Sequence, residues 1–329
     1  MKKLILYILG LFILTSATAY AIGAAPLRVE FTAQPGEVVQ GEVNVFNDSD
    51  TAQTIMISKG DFLVNGDEDV EFMDEVKDGN LYSLQNWIYI PDNEIELDAK
   101  SQGTIPYEIR VPEDAPSQGY YGSLFVENKP QTQELFGATV SVRVAHLVLL
   151  KVEGSLYEEI TIEDFDISEE ATEFDVVVTN KGNVHSSPSG EIEVIDSQGN
   201  LVQTWKLNSD EHNVLPESKK TYKGECKFKD LEPGIYYVVL ESKTDMDIPL
   251  EAEMKIEKTV DGKVIIHEKT LGEAHGEQLK EFLQQSRIVR NSIIVVIGIL
   301  LFAVAFAAIA KYCLTCTKSK KRVVKGKKK

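Results

Sequence analysis

Five oxygen-bearing side chains crowd one short stretch: Asp61, Asn65, Asp67, Asp69 and Glu71. Calcium takes about six to eight oxygen ligands, and a flexible acidic loop can supply several, so these five are the candidate cation ligands. Their spacing is not that of an EF-hand, whose D-x-D-x-D-G run is missing, and a solvated acidic loop is the plainer reading. Other chemistry lacks a signature. No G-x-S-x-G elbow marks a serine hydrolase, no H-E-x-x-H a zinc peptidase, and no P-loop or dinucleotide fingerprint occurs. His146, His185, His212, His267 and His275 are scattered over strand and loop patterns. A lone histidine of that kind is usually a surface residue or one with its bonds satisfied. Acids are too numerous for any pair to stand out as a glycosidase dyad, which needs a defined separation. The chain therefore reads as non-enzymatic, with no catalytic residue, no cofactor and no assigned metal.

The three cysteines make no framework. Cys226 has no partner before residue 292, and its strand context makes it a buried apolar filler. Cys313 and Cys316 form a C-x-x-C in a basic tail that offers neither a surrounding fold nor two more ligands.

Charge is strongly partitioned. All 52 acids lie between residues 22 and 291, with only 23 of the 34 Lys and Arg, so that region carries a net charge near −29. Such a field repels nucleic acid and favours cations or basic partners. With 43% hydrophobic residues the chain has enough apolar surface for packed cores.

The elements that must carry these residues are strands. Leu27, Val29 and Phe31 alternate before Pro35-Gly36, and Gly41, Val43 and Val45 alternate before Asn47-Asp48-Ser49-Asp50. That last run contains a glycosylation sequon, but its residues are also those a turn prefers. Ile105, Tyr107, Ile109 and Val111 alternate before Pro112, and Val140, Val142 and Val144 open a long strand running to Val152. Period-two alternation punctuated by Pro, Gly, Asn and Asp indicates a β-sandwich. Residues 59–84 interrupt it and read as an inserted acidic surface loop, where binding often sits.

A second set of strands begins near Leu156. It includes Phe174, Val176 and Val178 before Asn180-Lys181-Gly182-Asn183, and a final hairpin around Asp261-Gly262. The two sets share a spacing. Twelve positions separate Tyr107 from Gly119, and twelve separate Tyr222 from Gly234. Each glycine is followed by a tyrosine pair, Tyr120-Tyr121 and Tyr236-Tyr237. Two related Ig-like sandwiches, with tyrosines as core or corner residues, are the expectation.

The ends complete the plan. Residues 1–21 read as a secretory signal peptide: Lys2 and Lys3, an apolar run, then Ala19-Tyr20-Ala21. Leu279, Phe282, Leu283 and Ser286 recur at helical spacing and predict a juxtamembrane stalk over 268–291. Residues 292–312 are uncharged up to Lys311, and a helix over 293–314 is about 33 Å long, enough to span a bilayer. The basic tail 313–329 then falls in the cytoplasm. The expected architecture is all-β: a sandwich at 22–153 with the insertion 59–84, a sandwich at 154–267, the stalk and one transmembrane helix. The expected address is a bacterial cell membrane, type I, with the N-terminal domains outside.

Two segments carry a resemblance. Pro35-Gly36 leading into Val45-Phe46-Asn47, then Val111-Pro112 and Gly119-Tyr120-Tyr121-Gly122, is similar to the first Ig-like domain of the WxL-interacting surface proteins of Gram-positive bacteria. Asn180 to His185, with Pro188, Gly190 and the Gly199 turn, resembles the opening of their second domain. The resemblance implies peptidoglycan binding by the first domain and protein partners for the second. The expected function is a membrane-anchored scaffold that binds cell-wall polymer or another surface protein. The alternative is a chaperone-like assembly factor for exported surface proteins.

Overall fold

The computed structural model describes residues 22–64, 70–77, 79–129, 143–168 and 171–272. Among them the regular structure is strand, with two single 3-10 turns at Gln85–Trp87 and Phe228–Asp230 and no α-helix. The all-β sandwich expectation holds at that level.

Ten strands come first: β1 Ile22–Ala25, β2 Arg28–Ala33, β3 Val38–Asn47, β4 Gln53–Val64, β5 Val70–Met73, β6 Ile88–Tyr89, β7 Glu94–Leu97, β8 Ser101–Arg110, β9 Gly119–Asn128 and β10 Arg143–Val152. They form two sheets, β1-β3-β8-β6 and β2-β10-β9-β4-β5, with β7 also paired to β4. Eight follow: β11 Ile160–Ile167, β12 Glu173–Asn180, β13 Ser189–Asp196, β14 Leu201–Leu207, β15 Ser218–Glu225, β16 Gly234–Lys243, β17 Pro249–Lys258 and β18 Val264–Leu271. Their sheets are β11-β12-β15 and β14-β13-β16-β17-β18. We refer to these as the first and second sheet pairs.

Alternation explains the packing. On β8, Ile105, Tyr107 and Ile109 point inward and are buried, while Thr104 and Arg110 face solvent. They meet Val43 and Val45 of β3 and Leu124 and Val148 from the opposite sheet. The second core gathers Phe165, Phe174, Val178, Phe228 and Val238. Each such side chain contributes about 1.5–3 kcal/mol on burial. β9 departs from alternation: Gly119 to Val126 are all buried. Its even-numbered side chains enter the core, and its odd ones lie under a cover on the outer face. Phe72 of β5 stacks edge-on against Phe125 at 5.8 Å, and Phe62 against Tyr121 at 6.4 Å.

The first strand changes sheets. β1 pairs with β3, the chain turns at Pro26 after a cis peptide bond, and β2 then pairs in parallel with β10. His146 holds this crossing. Its Nδ1 lies 2.5 Å from Pro26 O and its Nε2 3.1 Å from the Tyr107 hydroxyl. A carbonyl only accepts, so Nδ1 carries the proton and Nε2 accepts from Tyr107. Burial pushes the His146 pKa down, against the pull of the Pro26 bond, which keeps the ring neutral.

Several expectations need correction. Residues 59–84 are not a loop throughout. β4 runs on to Val64 and β5 returns antiparallel to it, pairing Asp61 with Met73 and Val64 with Val70. Residues 79–87 then fold back against β9, with Ser83 bridging Tyr121. The acids hid this hairpin because only its Phe62, Val64, Val70 and Phe72 side is apolar. The stalk expected from 268 is also displaced. β18 continues to Leu271, paired with β17 as far as Ala252, and the helical spacing begins only at Leu279. The remainder of the stalk, the signal peptide 1–21, the span 292–312, the tail 313–329, and Val140 and Val142 lie outside the described residues.

Candidate functional site

The candidate cation ligands do not assemble. Asp61 is buried on β4, where its Oδ1 accepts from Phe62 N at 3.0 Å and its Oδ2 from Asn80 Nδ2 at 2.7 Å. Burial raises its pKa, opposed by hydrogen bonds from Ser83, Asn80 and Phe62. Its bonds organise the return of the hairpin rather than a cation. Glu71 stands exposed on β5, and Asn65, Asp67 and Asp69 lie outside the described residues. Among the described residues no group of three or more His, Cys, Asp or Glu is placed to hold a metal. The sequon asparagine is also committed: Asn47 is buried, and its Nδ2 donates to Thr51 O, Leu97 O and Asp98 O at 2.8, 3.2 and 2.8 Å. Cys226 is buried, and burial pushes its thiol up to about 11, as suits a filler.

The structure brings together residues the sequence left apart. β12 ends at Asn180, and the turn after it carries Asn183 and His185 onto the first sheet pair. Asn183 divides its polar groups between the connection after β10 and the first sheet pair. Its Nδ2 donates to Ser117 O and Ser155 O at 2.9 and 3.0 Å, its Oδ1 accepts from Tyr157 N at 2.9 Å, and its own carbonyl accepts from Gly119 N at 2.8 Å. That last bond finishes the edge of β9, which β4 covers at 123–128 and Tyr82 and Leu84 cover at Tyr121.

His185 is fully buried beside it. Its Nδ1 is 3.2 Å from the Tyr121 hydroxyl, and its Nε2 is 3.2 Å from Glu30 Oε1. Lys151 of β10 brings its Nζ to 2.8 Å from the same oxygen and 3.9 Å from Asp245 of the second sheet pair. His185, whose Nε2 lies within ion-pair range of Glu30 but without hydrogen-bond geometry, and after it Lys151, hold the Glu30 carboxyl at about 2 despite partial burial. Arg28 adds a bond to Glu211 O at 2.7 Å. The apolar part of this junction is small: Tyr121, Leu149 and Phe62 meet Leu215. Of the five histidines, His146 and His185 are thus the buried ones among the described residues, while His267 is exposed with its Nε2 2.8 Å from Glu257. The sequence marked the Asn180 to His185 turn but not its target.

A second feature lies on the same strand. β2 covers the outer edge of β10 only from Leu147 to Val152. Among the described residues no strand pairs with that side of Arg143–His146. Leu147 N donates to Leu27 O and Glu153 N to Ala33 O on this side, so by alternation Arg143 and Ala145 also direct their N–H and C=O groups there. The Arg143 side chain does not shield the edge. Its guanidinium lies 4.5 Å over the Phe125 ring on the outer face and 2.6 Å from Asp74.

No protein-family model and no curated protein matches the chain. Solved structures of similar architecture do. The class 5 fimbriae chaperone CfaA is 14% identical, covering 77% of this chain and 100% of its own, with a TM-score of 0.38. The CupB2 chaperone of Pseudomonas aeruginosa is 13% identical over 76% of this chain and 100% of its own, at 0.37. The periplasmic chaperone SfaE is 11% identical over 73% and 100%, at 0.32. The likeness is one of architecture.

Two expectations are corrected at this point. The resemblance to WxL-interacting surface proteins finds no support: no family model and no curated protein matches the chain, and the solved structures that do match are fimbrial chaperones. Its motifs were turn chemistry that a sandwich requires anyway: Gly36 sits at φ 83° with its N–H on Pro112 O, and Asn180 plugs its own turn. The single-pass membrane reading is withdrawn with it. No helix among the described residues is long and apolar enough to cross a membrane, and the span that suggested one lies outside them.

Proposed function

We propose that this chain is a chaperone-like assembly factor that receives an extended segment of an exported surface protein as an added strand along Arg143–His146 of β10. The observation that carries this reading is that, among the described residues, β2 covers the outer edge of β10 only from Leu147 to Val152. An edge presenting unpaired backbone groups is a template for strand addition, with main-chain bonds supplying affinity. The edge strand β15, by contrast, carries Lys219, Lys220 and Lys223, a usual device against unwanted pairing. The reading includes export by the leader at 1–21, a non-catalytic role, and division into sandwiches at Glu153–Gly154.

The test uses Ala145→Pro in the full-length protein. The Ala145 N–H faces the open side, so proline removes the edge donor without taking a bond from the β9 ladder. Unfolded exported surface subunits should be retained by the wild type and protect the Arg143 and Ala145 amides from hydrogen exchange. The variant should lose retention at least tenfold with its melting temperature nearly unchanged. Equal retention by a folded Ala145→Pro protein would sink the proposal.

A further inference from the structure

We infer that the junction is a latched hinge, closed at rest, whose latch is His185 held between Tyr121 and Glu30. The hinge is the connection after β10. Gly154 sits at φ 132°, a conformation that side chains rarely adopt, and a Cβ there would lie 2.8 Å from Ser117 Oγ. The stretch 153–159 contributes no strand of its own. Its Tyr157 and Glu159 are bonded to Asn183 and Lys181, so it belongs with the second sheet pair and leaves the placement of that pair to contacts elsewhere.

What fixes it is polar and lies to one side. His185 meets Tyr121 and Glu30, Lys151 reaches from Glu30 to Asp245, and Asn183 clasps Ser117 and Gly119. Such a contact set has two consequences. Buried polar groups demand their partners, so the closed geometry is specified closely and a removed partner is costly. The apolar area in the contact is confined to a few side chains, so opening leaves both cores intact. Opening would lift Leu215 from Tyr121, Leu149 and Phe62 on the outer face of β4, β9 and β10, leaving Phe72 and Tyr82 still packed on Phe62 and Tyr121. This inference does not depend on where a partner binds.

One backbone bond reports the state of the latch. The Gly119 amide donates across the junction to Asn183 O, whereas the Leu124 and Val178 amides lie inside the two sheet pairs. Residue-resolved hydrogen exchange on the full-length protein should find Gly119 protected within about tenfold of Leu124. His185→Ala should lower protection at Gly119 at least tenfold and leave Leu124 and Val178 as they were. A Gly119 amide that exchanges freely in the wild type, or one that His185→Ala leaves unchanged, would overturn the inference. Should His185→Ala lower all three sites together, Glu30→Gln decides. It keeps the imidazole in place, and a selective loss at Gly119 supports the latch, whereas no loss there overturns it.

Discussion

The two sheet pairs repeat the same fittings and differ at one edge. β3 and β12 each end in a buried asparagine, Asn47 and Asn180. In both, the side-chain oxygen accepts from the N–H two residues on, Ser49 or Gly182, and the amide donates to the carbonyl four residues on, Thr51 or Val184. Each amide also reaches a distant carbonyl, Asp98 O or Val214 O. The tyrosines repeat as well: Tyr120 donates to Pro116 O and Tyr236 to Glu232 O, each four residues back. The difference lies beside β10 and β17. β18 pairs with β17 from Ala252 to Lys258, whereas β2 leaves Arg143–His146 of β10 bare among the described residues. One repeat adds β18 beside β17, which moves the sheet edge out to β18, and the other leaves part of β10 unpaired among the described residues.

The likeness makes the strongest demand. Removing either asparagine leaves several buried backbone groups without partners, each costly in a dry site. Asn180→Ala and Asn47→Ala should each destabilise by roughly 2–4 kcal/mol, measured by denaturant unfolding. If one costs far less than the other, the plugs are not equivalent and the repeat is only one of spacing. Asn180→Ala should also loosen the turn that presents Asn183 and His185, so it alone should speed Gly119 exchange.

The tyrosines sharpen the comparison at a smaller scale. Each hydroxyl makes one bond to a turn carbonyl, so Tyr120→Phe and Tyr236→Phe should cost about 1 kcal/mol apiece. Their effects should add in the double variant, because the two corners share no partner. A coupling well above about 0.5 kcal/mol would mean that the junction transmits strain between the sheet pairs.

Much of this was readable from residues. Alternation at Ile105, Tyr107 and Ile109 located β8, Asp261-Gly262 located the last hairpin turn, and the Tyr-to-Gly spacing pointed to the repeated corners. The unread parts share a physical cause: they depend on pairings far apart in the chain. Glu30, Tyr121, Lys151 and His185 meet only after β2, β9 and β10 have paired and the turn after β12 has landed on them, so no local pattern announces them. The open edge is harder still, since a strand looks the same whether or not a neighbour covers it. The hairpin at β4 and β5 was hidden because its apolar pairs, Phe62 with Phe72 and Val64 with Val70, are split in sequence by the acidic run at 67–69. A signal was present in the turn after Asn180, where an asparagine two residues before a glycine marks a bend that its own side chain must plug.

The smallest effect concerns acid. Glu30 touches both sheet pairs through His185, and that contact holds its carboxyl at about 2, below the ordinary value of 4.5. A lowered folded-state pKa means that the charged carboxylate is what the folded protein favours. Its contribution is therefore fully present above about 4.5 and is lost as pH falls through about 2. The side chain keeps 42% of its exposure, so solvent screens much of the interaction. The wild type should lose stability between pH 4.5 and 2 slightly more steeply than Glu30→Gln, with the two curves parallel above pH 5. Since the carboxylate joins the two sheet pairs and lies in neither core, the extra slope should be seen in Gly119 exchange before it is seen in global unfolding. Identical acid limbs for the two proteins would mean that His185 is held by Tyr121 and packing alone.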